Sequence, residues 1–295
     1  MPKSIGIIAW GAMADVLYAT PIIKHIRELH PDAFISWHIR DKFAPVIAGN
    51  PHIDEIVYWK LPEGHTTRQE AEHDMDRKIL DVVKRHDKYY DLQYWPRYSN
   101  FYERPTEDFI SLRARNAGLN PNDVKDRSIV LNITDEQERV ALKFILDNDL
   151  GPEKSDDSCK TFITVNHISY AASPVWSPEN YQLLVDLLEQ KDIKCVFTGA
   201  PNEPLPNNVI DARGMPYKEW ASLIDNSDLW FGLDSGAKTL AAATETPMIV
   251  LHSKDFPMQK TGCQAMGIRT KNILELCPAP NVTTVADLIV KEVYS

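Results

Sequence analysis

The chain has 295 residues, 43% hydrophobic and 25% charged, with 12 Gly and 20 Pro. That length and mixture fit a globular protein of two domains, each able to bury its own core, and exclude collagen-like, coiled-coil and long disordered chains. The net charge of -10 argues against a broad basic face for nucleic acid, because nothing would displace counterions along a phosphate backbone.

Ser4 to Ala9 is a short apolar run ahead of a Gly/Ala-rich turn, the pattern of a strand buried on both faces. From Asp15 the period changes: Val16, Tyr18, Ile22, Ile26 and Leu29 recur at helical spacing until Pro31. The pattern then predicts a strand over 33–38, a short helix over 42–48 and a strand over 53–59. Residues 61–75 are polar and rich in His and Glu, as on a surface excursion. A helix over 75–85, a strand over 90–94 and helices near 106–117 and 135–147 follow, with Thr134 and Gln137 in capping-box positions. The polar stretch 149–158 carries Gly and Pro without apolar periodicity, so the expected domains are 1–150 and 158–295.

Alternation resumes with a strand over 161–166 and a helix opened by Ser177-Pro178-Glu179. That order is an N-cap hydroxyl, a first-position proline and a first-turn acid. Strands over 194–198 and 209–211, a helix over 217–224, a strand over 229–233, a helix over 237–244, a strand over 247–252 and a helix over 284–293 complete the chain. Two such βαβ series predict an α/β protein of two Rossmann-like, doubly wound parallel-sheet domains. Ligands of such folds bind at the carboxyl ends of the strands, here expected in a cleft between the halves.

No apolar run nears the roughly 18 residues of a membrane span, and the opening MPKSIGIIAWG lacks a leader's layout. The expectation is a cytoplasmic protein with at most peripheral membrane contact and no nucleic-acid partner. The four cysteines lack CxxC spacing and read as free thiols rather than zinc ligands or disulfides. The His65–His73 region has no metal-ligand spacing, and the D-x-D triplets at 74–76 and 147–149 read as solvated charge, so no metal site is expected.

Two stretches carry candidate chemistry. Around Asp234-Ser235-Gly236 an apolar strand runs into an Ala-rich helix whose first amides lack intrahelical partners. Gly236 permits close approach, Ser235 offers a hydroxyl and Lys238 a charge, which together suggest a phosphate cradle. The alternative is that Asp234 or Ser235 merely caps the helix. Gly232, Lys238 and Thr239 also match Walker A positions, but Ala237 stands where that motif has Gly, so a divergent P-loop NTPase is a further alternative. In the second stretch Asp15 opens a helix directly after the first strand, placed to accept a proton from a hydroxyl, with a plain cap as the alternative. The aromatic run Tyr89–Tyr102, with Arg97 and Tyr98, could stack on the rings of a ligand or simply pack. The His167-Ile168-Ser169-Tyr170 loop could contribute to phosphate binding or be a strand-end turn with satisfied polar groups.

With Gly49-Asn50-Pro51-His52-Ile53-Asp54-Glu55, Trp176-Ser177-Pro178-Glu179 and Thr198-Gly199-Ala200-Pro201-Asn202-Glu203 between them, these stretches give nearly the whole chain a resemblance to a known family. It resembles the heptosyltransferases of bacterial lipopolysaccharide synthesis (glycosyltransferase family 9, GT-B fold). The resemblance implies an inverting, metal-independent glycosyltransferase. It would move a sugar, with heptose the candidate, from a nucleoside-diphosphate donor such as ADP-heptose to a glycan hydroxyl on a lipopolysaccharide core, with no cofactor besides that donor. It makes Asp15 the general base, sets Glu203 on the donor's ribose and Met215 against its base, and gives Asp234, Ser235 and Gly236 the sugar and diphosphate end. Three departures stand out: Ala14 where the family has Gly, Pro174-Val175 where a cation precedes Trp176, and Thr239 where His is usual. They leave open a nucleotide-sugar-binding protein without transfer activity.

Overall fold

The computed structural model describes residues 2–9, 11–59, 68–93, 106–151, 161–169, 174–254, 258–268 and 272–295. The chain divides into two compact units, Met1–Asn132 and Ile133–Ser295.

In the first unit, β1 (Ser4–Ile8), β2 (Phe34–Arg40), β3 (Glu55–Trp59) and β4 (Lys88–Asp91) form a parallel sheet in the order β3-β2-β1-β4. Ile5, Ile7 and Ile8 of β1 are fully buried, as a continuous apolar run in a parallel sheet requires. The crossovers include α1 (Met13–Leu29), α2 (Ala44–Ile47) and α3 (Arg68–Arg85), and α4 (Phe109–Asn116) follows β4. Helix α3 starts well before the expected residue 75, inside the polar stretch read as a surface excursion. Strand β4 stops at Asp91, and residue 94 of the predicted strand lies outside the described residues.

Helix α1 carries Pro21 in its interior, which deprives the Leu17 carbonyl of its usual amide partner. The Thr20 hydroxyl donates to that carbonyl at 2.7 Å, and its oxygen accepts the Val130 amide at 2.9 Å. The Thr-Pro pair thus keeps the helix satisfied and ties it to the end of the unit.

The second unit's sheet runs β10-β9-β8-β5-β6-β7, all parallel. These strands are β5 (Phe162–Asn166), β6 (Lys194–Phe197), β7 (Ile210–Asp211), β8 (Leu229–Leu233), β9 (Met248–Leu251) and β10 (Ile273–Leu276). Helices α6 (Pro178–Glu189) and α11 (Val282–Val293) cover one face through Leu184, Leu188, Val285 and Ile289. Helix α5 (Asp135–Asp147) and α7 (Tyr217–Asp225) supply a second cluster, with Ala141 and Ile145 against Phe162, Val196 and Leu223. The helix expected to end the first domain therefore belongs to the second sheet, and the units part at 132/133 rather than after 150, since the apolar stripe of α5 decides its allegiance. The short α8 (Gly236–Ala241), α9 (Met258–Thr261) and α10 (Cys263–Met266) complete the unit. The last two and β10 went unanticipated, being only four residues each.

Strand order reverses between β1 and β4 in one unit and between β5 and β8 in the other. Crevices outside the carboxyl ends of those pairs are where such sheets bind ligands. Cys195 and Cys263 are buried free thiols, pushed up to about 12 by burial and so unreactive, and Cys277 is exposed and free. Among the described residues no helix is long and apolar enough to cross a membrane, and no group of three or more His, Cys, Asp or Glu could hold a metal ion.

Candidate functional site

At the first unit's reversal, β1 leads through Gly11 and Ala12 into α1. Ala12 is the N-cap residue, and having no side-chain acceptor it leaves that work to Asp15. Asp15 Oδ2 accepts the Ala12 amide at 2.9 Å, folding back over Gly11. Gly11 sits at φ +140, and a Cβ there would lie 2.5 Å from Asp15 Oδ2, so only glycine fits. Ala14 lies within α1, where a helical backbone needs no glycine. Asp15 Oδ1 accepts from Arg113 Nη2 at 2.6 Å. Arg113 projects from α4, is fully buried, and donates through Nη1 to the Leu92 carbonyl at 2.8 Å. The Asp15 side chain keeps 17% of its surface exposed. It is therefore both a helix cap and a carboxylate a hydroxyl can reach.

At the second unit's reversal, β8 leads into α8 through Asp234 and Ser235. Neither residue caps the helix. Ser235, in extended conformation, makes no side-chain cap hydrogen bond. Asp234 turns inward to Lys238 Nζ at 2.6 Å, to His252 Nδ1 at 3.2 Å and to the Thr261 hydroxyl. Lys238 is fully buried and also donates to the Thr261 carbonyl. Its charge is committed to Asp234, which corrects the expectation that it faces a phosphate. Thr239 is equally buried. Gly232 lies within β8, where a Cβ would come within 2.5 Å of the Asn166 carbonyl; strand packing, not a phosphate loop, explains it, and the Walker reading falls.

Burial works to raise the Asp234 carboxyl, but Lys238 and His252 outweigh it and hold it well below the usual range. Burial likewise opposes charge on His252, yet its contacts with Asp234 and with Glu275, 3.0 Å from Nε2, raise it above its ordinary value. The result is a charge-compensated buried cluster beneath the turn.

Two hydroxyls, those of Ser235 and Ser169, hydrogen-bond at that turn. Ser169 donates to the Asp234 carbonyl at 3.0 Å, and Ser235 donates to Asn166 Oδ1 at 3.2 Å. Asn166 in turn donates to the Thr198 carbonyl at 3.2 Å, joining the ends of β5 and β6. His167 Nε2 lies 2.8 Å from the Pro204 carbonyl and so carries a proton, and burial lowers its pKa. A largely apolar cavity of about 480 Å³ opens beside Ser169, lined by Trp176, Tyr181, Leu205 and Leu233, with Pro174 at its edge. Glu203 is buried over Gly199, where any side chain would collide with its carboxylate, and Arg213 holds it by its carbonyl while pairing with Asp211. Met215 is half-buried and packs on the α5 cluster. The structure thus brings Asp234, Ser235, Gly236 and Ser169 together at one turn, and puts Glu203 on the adjoining loop after β6. Arg97 and Tyr98 lie outside the described residues. Sequence reading missed Arg113 and Asn166: one is 98 positions from its partner, and the other is an ordinary strand-end Asn.

Two parallel sheets with interleaved helices, and a polar turn at each reversal, give this chain the fold of the GT-B glycosyltransferases. Solved structures resemble it over nearly the whole chain. A glycosyltransferase family 9 structure from Veillonella parvula matches with a TM-score of 0.69 at 19% identity, over 98% of this chain and 89% of that one. ADP-heptose lps heptosyltransferase II from E. coli matches at 0.64 and 13%, over 99% and 97%. E. coli heptosyltransferase WaaC, solved with ADP, matches at 0.60 and 16%, over 98% and 99%. At these identities what is shared is the fold. No family model and no curated protein matches the sequence.

Proposed function

We propose that this chain is an inverting glycosyltransferase that moves a sugar, with heptose the candidate, from a nucleoside-diphosphate donor to a hydroxyl of a lipopolysaccharide-core or similar glycan. The observation that carries this reading is Asp15, a partly exposed carboxylate at the first unit's strand-order reversal, fixed on one side by the Ala12 amide and on the other by a buried arginine. In the proposed step Asp15 takes the acceptor's proton as its oxygen bonds to the anomeric carbon. The bond from that carbon to the diphosphate breaks on the opposite face, and ADP leaves with the electron pair. The second unit's Ser169, Ser235 and Gly236 would hold the donor, with Glu203 and Met215 beside its nucleoside. The reading takes no resident cofactor and no metal: amides of the Ser235–Gly236 turn, which no side chain caps, would meet the leaving charge. The solved relatives support the donor class, since WaaC was solved with ADP.

The test follows ADP release by the purified chain from ADP-heptose with a lipopolysaccharide-core acceptor. Asp15→Ala is expected to abolish turnover while ADP affinity holds, and a chelator is expected to leave the rate unchanged. Equal turnover by the variant removes Asp15 from the mechanism. One observation favours a second reading: Lys238 is spent internally and Pro174 stands where a cation is expected, so neither position presents a positive charge to a donor phosphate. A nucleotide-sugar-binding protein without transfer would bind ADP and ADP-heptose in calorimetry and turn over no acceptor.

A further inference from the structure

The arginine beside Asp15 has a geometry that a simple counter-ion does not need. Its guanidinium is fully buried and bridges two elements. Nη1 is anchored on the Leu92 carbonyl at 2.8 Å, one residue past β4, and Nη2 holds Asp15 Oδ1 at 2.6 Å, in the first turn after β1. These are the two strands between which the sheet order reverses. The other carboxylate oxygen is held by the Ala12 amide at 2.9 Å. Asp15 is thereby fixed at both oxygens, with the arginine tying it to the neighbouring strand. A planar fork with several donors can make both bonds at once; a lysine amine cannot match that geometry. Helix α4 packs against α1 and delivers the side chain, with the Phe109 ring edge-on to Tyr18 at 6.2 Å.

We propose that Arg113 is a positioning residue for the proton-accepting carboxylate, setting the direction in which Asp15 meets the acceptor hydroxyl. This rests on the reading of Asp15 as the base. Misplacement of a reacting group by about an ångström can cost on the order of a hundredfold in rate, and Arg113→Met removes the anchor on Oδ1 and its tie to Leu92, leaving only the Ala12 amide on Oδ2.

The experiment measures kcat and donor KM for Arg113→Met, Arg113→Lys, Asp15→Asn and the Asp15→Asn/Arg113→Met double variant, with ADP affinity by calorimetry. Arg113→Met is expected to lower kcat by roughly tenfold to a hundredfold, with donor KM and ADP affinity within about twofold, because the donor-holding residues belong to the other unit. Arg113→Lys should recover part of the loss. Adding Arg113→Met to the residual rate of Asp15→Asn should cost nothing further, since the arginine acts through that carboxylate. Wild-type kcat in Arg113→Met overturns the proposal, as does a loss that adds in full to that of Asp15→Asn. If Arg113→Met does not fold, Arg113→Lys decides alone: a fall in kcat at constant KM supports positioning, and an unchanged kcat overturns it. Wild-type turnover by Asp15→Asn would instead remove the base, and the positioning role with it.

Discussion

Lys238 shows how one side chain's direction changes a site's chemistry. In the sequence it stands just beyond Ser235-Gly236, where a lysine invites a phosphate; in the fold it is fully buried against Asp234. Removing one partner of such a pair strands the other charge in the interior, a loss of about 3–5 kcal/mol. Lys238→Met is therefore expected to lower the second unit's stability by that order in urea unfolding, while ADP affinity at low temperature stays within about twofold. A large loss of ADP affinity in the folded variant would return Lys238 to the donor. The residues around it were legible in part. Asp234, Ser235 and Gly236 do mark the turn at the strand reversal, since an apolar strand running into a small-residue helix has few other readings. Which way Lys238 points was not legible, because it depends on the Thr261 carbonyl 23 positions away.

At the level of elements, what the chain announces locally is what periodicity can see. The run of β1 and the 3.6-residue repeat of α1 come out as read. The allegiance of α5 does not, because its own pattern says only that one stripe is apolar, and Ala141 and Ile145 meet Phe162 and Leu223 across the supposed linker. Within α1 the Thr20-Pro21 pair serves the helix itself, since one hydroxyl satisfies both the Leu17 carbonyl and the Val130 amide. Thr20→Val keeps the volume and removes both bonds, leaving the buried Leu17 carbonyl and the half-buried Val130 amide unpaired. The expected cost is about 1–3 kcal/mol for each such group, read as a lower denaturant midpoint at unchanged m. A midpoint within error of wild type would mean that water or another group replaces the hydroxyl. Where α3 crosses β1 the limit is steric. A Cβ at Gly6 would lie 2.5 Å from Val82 Cγ1 and 2.6 Å from the His86 ring, so Gly6→Ala is expected to destabilise the first unit by about 1–3 kcal/mol.

For the whole molecule, two separate cores mean that unfolding need not be one event. The units also answer pH differently. In the first unit burial lowers His30, His38, His52 and His86 from the ordinary 6.5, His38 to about 4, where its Nε2 meets His86 Nε2 at 2.9 Å. A histidine held neutral in this way contributes its full stability above 6.5 and loses it as pH falls towards its folded value. In the second unit His167 behaves likewise, but His252 is raised despite its burial by Asp234 and Glu275. Its contribution is complete below 6.5 and fades as pH rises through the folded value, so it offsets His167 on acidification. Calorimetric scans should therefore resolve two transitions, and lowering the pH from about 7.5 to about 5.5 should move the first unit's down relative to the second's. Gly6→Ala identifies which is which, because only the first unit's transition should shift. If both transitions move together with pH, or if Gly6→Ala shifts them equally, the histidine account of the difference fails.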